Sequence, residues 1–335
     1  MTATGTHHRR ILVATDFSPY ADAALKQAVW LARRNGARVT LAHCLPDLRR
    51  AVHSSSFKAR MDLLYGEGDL FQREIRRKSD LKLRQIIADL NAGDVAISAE
   101  TLLGEAFVEI IHAVQQEGYD LVLAGSRGLA AWQQFFVGST AKRLIRKSPA
   151  SVWIVKAEHT GPPKVVLAPT DFSEVSRQAA LEGAWVARQA DADFHVLHVI
   201  DSMDIPEEVF ENMPECDSLR QEIKRENQQR LADFVTSLGA DAGRIQSHLC
   251  WGTPWKEIAR LAEELNVGLI SIGTVGRSGI AGVLLGNTAE RVLGTCDCSI
   301  LTTKPVGFVT PIAEAFWPLH PDSPLNRGGD AAPSA

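Results

Sequence analysis

The 335-residue chain has little cysteine, few aromatics and almost no net charge. Its five cysteines, Cys44, Cys216, Cys250, Cys296 and Cys298, are odd in number and scattered. That argues against a disulfide framework and for reduced thiols in a cytoplasm. Cys296-Asp297-Cys298 has no second thiol pair and no nearby histidine, so no metal is expected there. The formal net charge of −4 gives no reason to invoke nucleic acid or an anionic membrane. No apolar run reaches the roughly 18 residues of a membrane helix. The opening MTATGTHHRR lacks the apolar core and cleavage site of a secretion signal. Catalytic signatures are equally scarce. There is no GK[ST] phosphate loop, no close-spaced GxGxxG and no nucleophile elbow. No carboxylate pair has a spacing that clearly holds Mg2+, and no lysine is placed as in phosphoryl transferases.

What the sequence does contain, it contains twice. ILVATDFSPYADAAL from Ile11 matches VVLAPTDFSEVSRQAAL from Val165. The stretch from Leu102 to Gly128 matches that from Cys250 to Gly276, and GSTAKRLIRKSPASVWIVK from Gly138 matches GNTAERVLGTCDCSILTTK from Gly286. The TDFS motifs lie 155 positions apart and the glycine motifs 148, so the first copy is seven residues longer between them. The excess is expected in the loop after its second strand. A period this long is a domain duplication rather than a solenoid. The boundary falls near AEHTGPPK, Ala157 to Lys164, giving domains at 9–157 and 163–305. Residues 306–335, rich in Pro and Gly and without period, read as a mostly disordered tail; Phe316-Trp317 within it could dock on a partner.

Each copy alternates apolar strands with helical stretches. This predicts α/β architecture: two five-stranded, doubly wound open parallel sheets with helices on both faces. The first helix should turn Ala24, Ala28, Leu31 and Ala32 inward and end at Gly36 in a left-handed cap. Asp16 and Asp171 should close the first strand of their copies, and Gly125 and Gly273 the fourth. In such sheets ligands lie beyond the carboxyl ends of the strands where strand order reverses.

The spacing Gly125-x2-Gly128-x9-Gly138-Ser139-Thr140 demands explanation, because each glycine inside a regular element costs roughly 1 kcal/mol. Bare backbone next to a helix start suits a phosphate, with amides and partial positive charge directed at it. Asp16 could accept a hydrogen bond from a base or sugar across the crevice. The plainer alternative is a tight turn capped by Ser139.

TDFS after the first strand, followed by G-x2-G-x9-G-[ST]-[ST], resembles the universal stress protein family, as a tandem member. The resemblance implies a Rossmann-like, adenine nucleotide alpha hydrolase-like fold. It also implies ATP as ligand, alone or with Mg2+ or Mn2+. Matched residue by residue, it puts Ala14, Asp16 and the backbone of Cys44 at the adenine, Gly125, Arg127 and Gly128 around the ribose and phosphates, and Gly138, Ser139 and Thr140 at the phosphates. In copy two the matching positions are Pro169, Asp171, Val199, Gly273, Gly276, Gly286, Asn287 and Thr288. It further implies pairing of the two domains through SVWIVK and SILTTK as an internal pseudo-dimer, and two such chains could pair again as a homodimer. The implied role is a cytoplasmic stress-response regulator that answers to nucleotide and acts on a protein partner.

The copies differ at the phosphate end. Asn287 and Glu290 stand at capping-box spacing, so the second helix start could satisfy its own amides. Copy one has Lys142 where copy two has Glu290. A cation in the first helical turn opposes the helix dipole unless an anion sits there. Nucleotide is therefore expected chiefly in domain 1 and more weakly in domain 2. His43 and His198 recur beside the crevice as general-base candidates or, the plainer reading, as structural residues. The loop after the second strand is basic in copy one, with Arg49, Arg50, Lys58 and Arg60, and acidic in copy two, from Asp201 to Asp217. Trp132, Phe135 and Phe136 between the glycines are apolar enough to expect packing on another surface. Two other functions stay open: a slow nucleotide hydrolase or nucleotidyl-transferring enzyme, and a scaffold with vestigial pockets.

Overall fold

The computed structural model describes residues 8–47, 69–127, 137–157, 160–201, 217–239, 244–276 and 285–312. The first copy runs β1 (Arg10–Thr15), α1 (Pro19–Asn35), β2 (Arg38–Leu45), α2 (Asp69–Asp89), β3 (Ile97–Leu103), α3 (Ala106–Glu117), β4 (Leu121–Gly125), α4 (Ser139–Lys147) and β5 (Ser151–Val155). The second repeats the order as β6 (Val165–Thr170), α5 (Glu174–Ala190), β7 (Asp193–Asp201), α6 (Asp217–Ser237), β8 (Gln246–Gly252), α7 (Pro254–Glu264), β9 (Leu269–Gly273), α8 (Asn287–Thr295) and β10 (Ser299–Thr303). The longer β2-to-α2 connection, set against β7-to-α6, accounts for the extra length of copy one.

The ten strands of the described residues form one sheet in the order β3-β2-β1-β4-β5-β10-β9-β6-β7-β8. Each half is parallel, with β1 paired to both β2 and β4 and β6 to both β7 and β9. Strand order therefore reverses between β1 and β4 and between β6 and β9, opening one crevice per domain. The halves join where β5 pairs antiparallel with β10, Leu301 opposite Trp153. This is the internal pseudo-dimer that the resemblance implied.

Alternate strand residues face opposite layers. Leu12, Val122, Val152 and Ile154 pack under α3 and α4, sharing a core with Ile270 and Ile300 under α7 and α8. Ile11, Val13, Leu121, Leu123 and Trp153 face α1 and α2, sharing the other core with Leu269 and Leu301 under α5 and α6. Both cores run across the seam, so the domains share their interior.

Ala24, Ala28, Leu31 and Ala32 of α1 are buried as the helical period predicts. Gly36 ends the helix at φ 70°, where a side chain would be strained. Beyond Lys304 the chain makes a turn, and Ile312 is buried in the core. Phe316 and Trp317, like the rest of the expected tail, lie outside the described residues, as do Arg49, Arg50, Lys58, Arg60, Trp132, Phe135 and Phe136 and most of the acidic loop.

Candidate functional site

TDFS closes the first strand of each domain, and each of its residues has a local role. Thr15 Oγ1 accepts from the Phe17 amide at 3.0 Å, and Thr170 Oγ1 from Phe172 at 2.9 Å. Asp16 Oδ1 accepts from Ser18 and Asp171 Oδ1 from Ser173, both at 3.0 Å. These turns throw Phe17 and Phe172 to φ 65° and 64°, a conformation non-glycine residues rarely adopt. The serines then cap α1 and α5, accepting from Ala21 and Ser176.

The repeated histidines hold this turn. His43 Nδ1 meets the Thr15 carbonyl at 2.7 Å, and His198 Nδ1 meets that of Thr170 at 2.8 Å. Their rings pack on Phe17 and Phe172 at centroid distances of 4.2 and 4.0 Å. A cation covers each phenylalanine: Lys82 Nζ at 4.0 Å from α2, and the Arg230 guanidinium at 4.6 Å from α6. Both are equivalent positions that sequence reasoning passed over, because they lie in long polar helices with no local motif.

Across the crevice the glycines divide their work. A methyl group on Gly125 would lie 2.6 Å from the Tyr20 backbone, and one on Gly273 would lie 2.9 Å from Val175. These two therefore let the first helix pass over the end of the fourth strand. Gly138 and Gly286 differ, because a methyl there has no neighbour closer than 3.9 and 3.6 Å. Their own amides are engaged, donating to the carbonyls of Ser126 (2.9 Å) and Thr274 (2.7 Å). The strand-end pair serves packing, and the open backbone lies at the helix starts.

Gly138 and Gly286 are the N-caps of α4 and α8, with no side-chain cap bond. A glycine cap has no side chain to accept from the first amides of either helix. The capping box predicted for Asn287 and Glu290 does not form. Asn287 is already helical and accepts from Arg291 Nε at 3.1 Å. Glu290 accepts from Arg146 of the other domain at 2.6 Å. A glycine at the cap moves both residues one step too far into the helix to bond back. Ser139, likewise, is the first helical residue and not the cap.

In domain 2 a cavity of about 650 Å³ is lined by all eight sequence-predicted residues, Pro169, Asp171, Val199, Gly273, Gly276, Gly286, Asn287 and Thr288. Leu197, Pro254, Ile258 and Ile272 add apolar wall, and Thr274 and Val275 lie on its loop. A methyl on Gly276 would come within 2.6 Å of Asp171 Oδ2, so the loop closes directly over that carboxylate. Volume and lining suit one nucleoside-sized ligand.

In domain 1 Ala14 pairs in register with Ala124, which sets Asp16 beside the end of β4. Arg127 donates to the Tyr20 hydroxyl at 3.2 Å, with its guanidinium 5.5 Å from that ring. Cys44 donates through Sγ to the Ala106 carbonyl at 3.6 Å. Burial, with Glu109 and Glu100 nearby, pushes this thiol up to about 12, so it stays protonated and unreactive. Gly128 lies outside the described residues. Gly138, Ser139 and Thr140 open α4 as expected.

Cys296 and Cys298 are both buried. Among the described residues no group of three or more His, Cys, Asp or Glu could hold a metal ion. Among the same residues no helix is long and apolar enough to cross a membrane.

The sequence matches the universal stress protein family over residues 7–156 and again over 163–304. Universal stress protein E of Escherichia coli strain K12 is 28% identical over 314 residues, covering 91% of this chain and 96% of that one. The protein of the same name from Photorhabdus laumondii is 25% identical over 319 residues, covering 92% and 99%. A universal stress protein from Archaeoglobus fulgidus superposes with a TM-score of 0.65 at 20% identity, over 89% of this chain and 98% of that chain, which supports the fold. The two matched segments, the repeated TDFS and glycine motifs and the paired five-stranded sheets agree: the chain belongs to the universal stress protein family, as a tandem member.

Proposed function

We propose that this chain binds an adenine nucleotide, ATP or a relative, in the crevice between the TDFS turn and the glycine loop, and acts as a cytoplasmic regulator rather than an efficient enzyme. One observation carries the reading: the residues expected at the ligand in domain 2 all line one cavity that ends at an uncapped helix start. Asp16 or Asp171 receives the base or ribose. The amides opening α4 or α8 receive phosphate. A companion Mg2+ or Mn2+ would be held mainly by the phosphates, with Asp171 and Asp201 the carboxylates lining the domain 2 cavity. A protein partner reads the bound state.

Domain 1 is the tighter site in this proposal. Arg127 stands where domain 2 has Val275, and Lys142 where it has Glu290. Over 125–142 domain 1 carries Arg127 and Lys142 and no acid, while over 273–290 domain 2 carries Arg277 and Glu290, so the more positive stretch in domain 1 favours a polyanion.

Isothermal titration of the full chain with ATP and Mg2+ tests the reading. We expect one tight event, weakened by Ser139→Ala and by enlarging Gly138, and barely changed by the matching substitutions at Asn287 and Gly286. Equal losses in both domains would remove the asymmetry, and no heat at any concentration would remove the nucleotide. A steady-state phosphate-release assay separates regulator from hydrolase; sustained turnover would reverse that choice.

A further inference from the structure

We infer that Lys304 and Lys156 are positioning residues that tie each domain's phosphate-facing helix to the other domain's glycine loop. Its functional meaning rests on the nucleotide reading above, while the mechanical tie is testable without it.

The path from domain 2 begins at the cavity. Thr274 lies on the loop between Gly273 and Gly276. Its carbonyl accepts from the Gly286 amide at 2.7 Å, and its own amide donates to the Thr303 carbonyl at 3.0 Å. The next residue, Lys304, is buried and crosses the seam. Its Nζ donates to the carbonyls of Ile145 at 2.5 Å and Arg146 at 2.9 Å, in the last turn of α4.

Those carbonyls need a donor. Carbonyls of a last helical turn have no intrahelical partner unless the chain continues. The residue four beyond Ile145 is Pro149, which has no N–H. The residue four beyond Arg146 is Ala150, whose amide donates to Ser148 Oγ instead. Lys304 Nζ fills the gap as a donor; burial lowers its pKa to about 7, so near neutral pH it serves as amine and as ammonium, and either form can donate. A second link joins the same helices, Arg146 to Glu290 in the first turn of α8.

Domain 1 builds the same path in reverse. The Gly138 amide donates to the Ser126 carbonyl, and the Ser126 amide to the Val155 carbonyl, both at 2.9 Å. Lys156 follows and is also buried. Its Nζ lies 3.9 Å from Asp297, just beyond the end of α8. Here Asp297 replaces the proline, and the lysine meets its carboxylate. The tie from domain 2 into α4 is accordingly the stronger of the two.

Hydrogen–deuterium exchange on the full chain tests the crossed pattern. Lys304→Met should speed exchange in 139–147 several-fold while leaving 287–295 near the wild-type rate, although the substitution lies in domain 2. Lys156→Met should affect 287–295, and less strongly. Should Lys304→Met fail to fold, Lys304→Gln, polar but one bond shorter than the lysine, should loosen 139–147 in the same direction. Unchanged exchange in 139–147, or equal loosening of both helices, would overturn the inference. With ATP added, Lys304→Met should weaken affinity at least threefold, and wild-type affinity in that variant would reduce the tie to a structural one. If the wild-type chain takes up no ATP, the nucleotide reading fails while the exchange pattern still decides the tie.

Discussion

Two glycines of one motif answer to different forces, and substitution separates them. Gly138 sits at φ −58° and ψ 155°, a cap geometry open to any residue, with 3.9 Å of room for a methyl group. Serine there can accept from the amides opening α4. We predict that Gly138→Ser raises stability by about 0.5–1 kcal/mol, a few tenths from the cap and the rest from the smaller freedom of the unfolded chain. The same hydroxyl occupies the amides proposed for phosphate, so ATP affinity should fall about tenfold, roughly 1.4 kcal/mol. Opposite signs in thermal unfolding and in titration are the signature; a rise in both would place the ligand elsewhere. Gly125 has no such freedom, since the Tyr20 backbone stands 2.6 Å from a methyl placed there. Gly125→Ala should lose about 2–3 kcal/mol, read by urea unfolding, through displacement of the first turn of α1.

At the scale of the element, the turn after each first strand is a built unit. A phenylalanine at φ near 65° stores on the order of 1 kcal/mol of strain. The histidine beneath it offsets that strain by bonding the threonine carbonyl and packing on the ring. His198→Ala should therefore cost about 2 kcal/mol of stability, because a buried carbonyl loses its donor and the ring loses its floor. Chemical denaturation measures the loss. His198→Gln, if its amide reaches the same carbonyl, should recover part of it.

The strand–helix alternation, the left-handed cap at Gly36 and the duplication were legible because each is a local pattern in one stretch of chain. The capping box was misread for a reason equally local. Its spacing was right, but the cap falls on Gly286, and that depends on where the loop delivers the chain to the helix. Lys82, Arg230 and the lysines ending SVWIVK and SILTTK were present in both copies. Their partners lie on distant elements, so no pattern along the sequence could assign them.

At the scale of the whole molecule, the seam between the halves carries buried charge. His8, just before β1, lies 3.8 Å from Glu182 of α5 in the other domain and 3.6 Å from Asp120. Ser151 donates to Glu182 at 2.8 Å, and the edge of the His8 ring meets Trp185. The position equivalent to Glu182 in domain 1 is Gln27, which accepts from the Gly161 amide at 3.1 Å without charge. Burial opposes a charge on His8, yet the bond to Asp120 and the nearby carboxylates prevail and hold its pKa above the ordinary 6.5. Burial also raises Glu182 above its ordinary 4.5, against the pull of His8, Ser151 and Thr303. Both groups thus bind their proton more tightly folded than unfolded. The stability each contributes is complete below its unfolded value and is lost as pH rises through its folded one. For Glu182 the loss begins above about 4.5, and for His8 above about 6.5. The two face each other and titrate as one pair, so unfolding free energy should fall between pH 5 and pH 8 as the pair loses protons. Glu182→Gln copies the arrangement at Gln27, removing one titrating group and one of the carboxylates that hold the proton on His8. Its urea-unfolding profile should be flatter than wild type, and at pH 8 the variant should be the more stable by about 1 kcal/mol or more, since no carboxylate is then buried in ionised form. A variant profile parallel to that of wild type would show that the seam does not titrate.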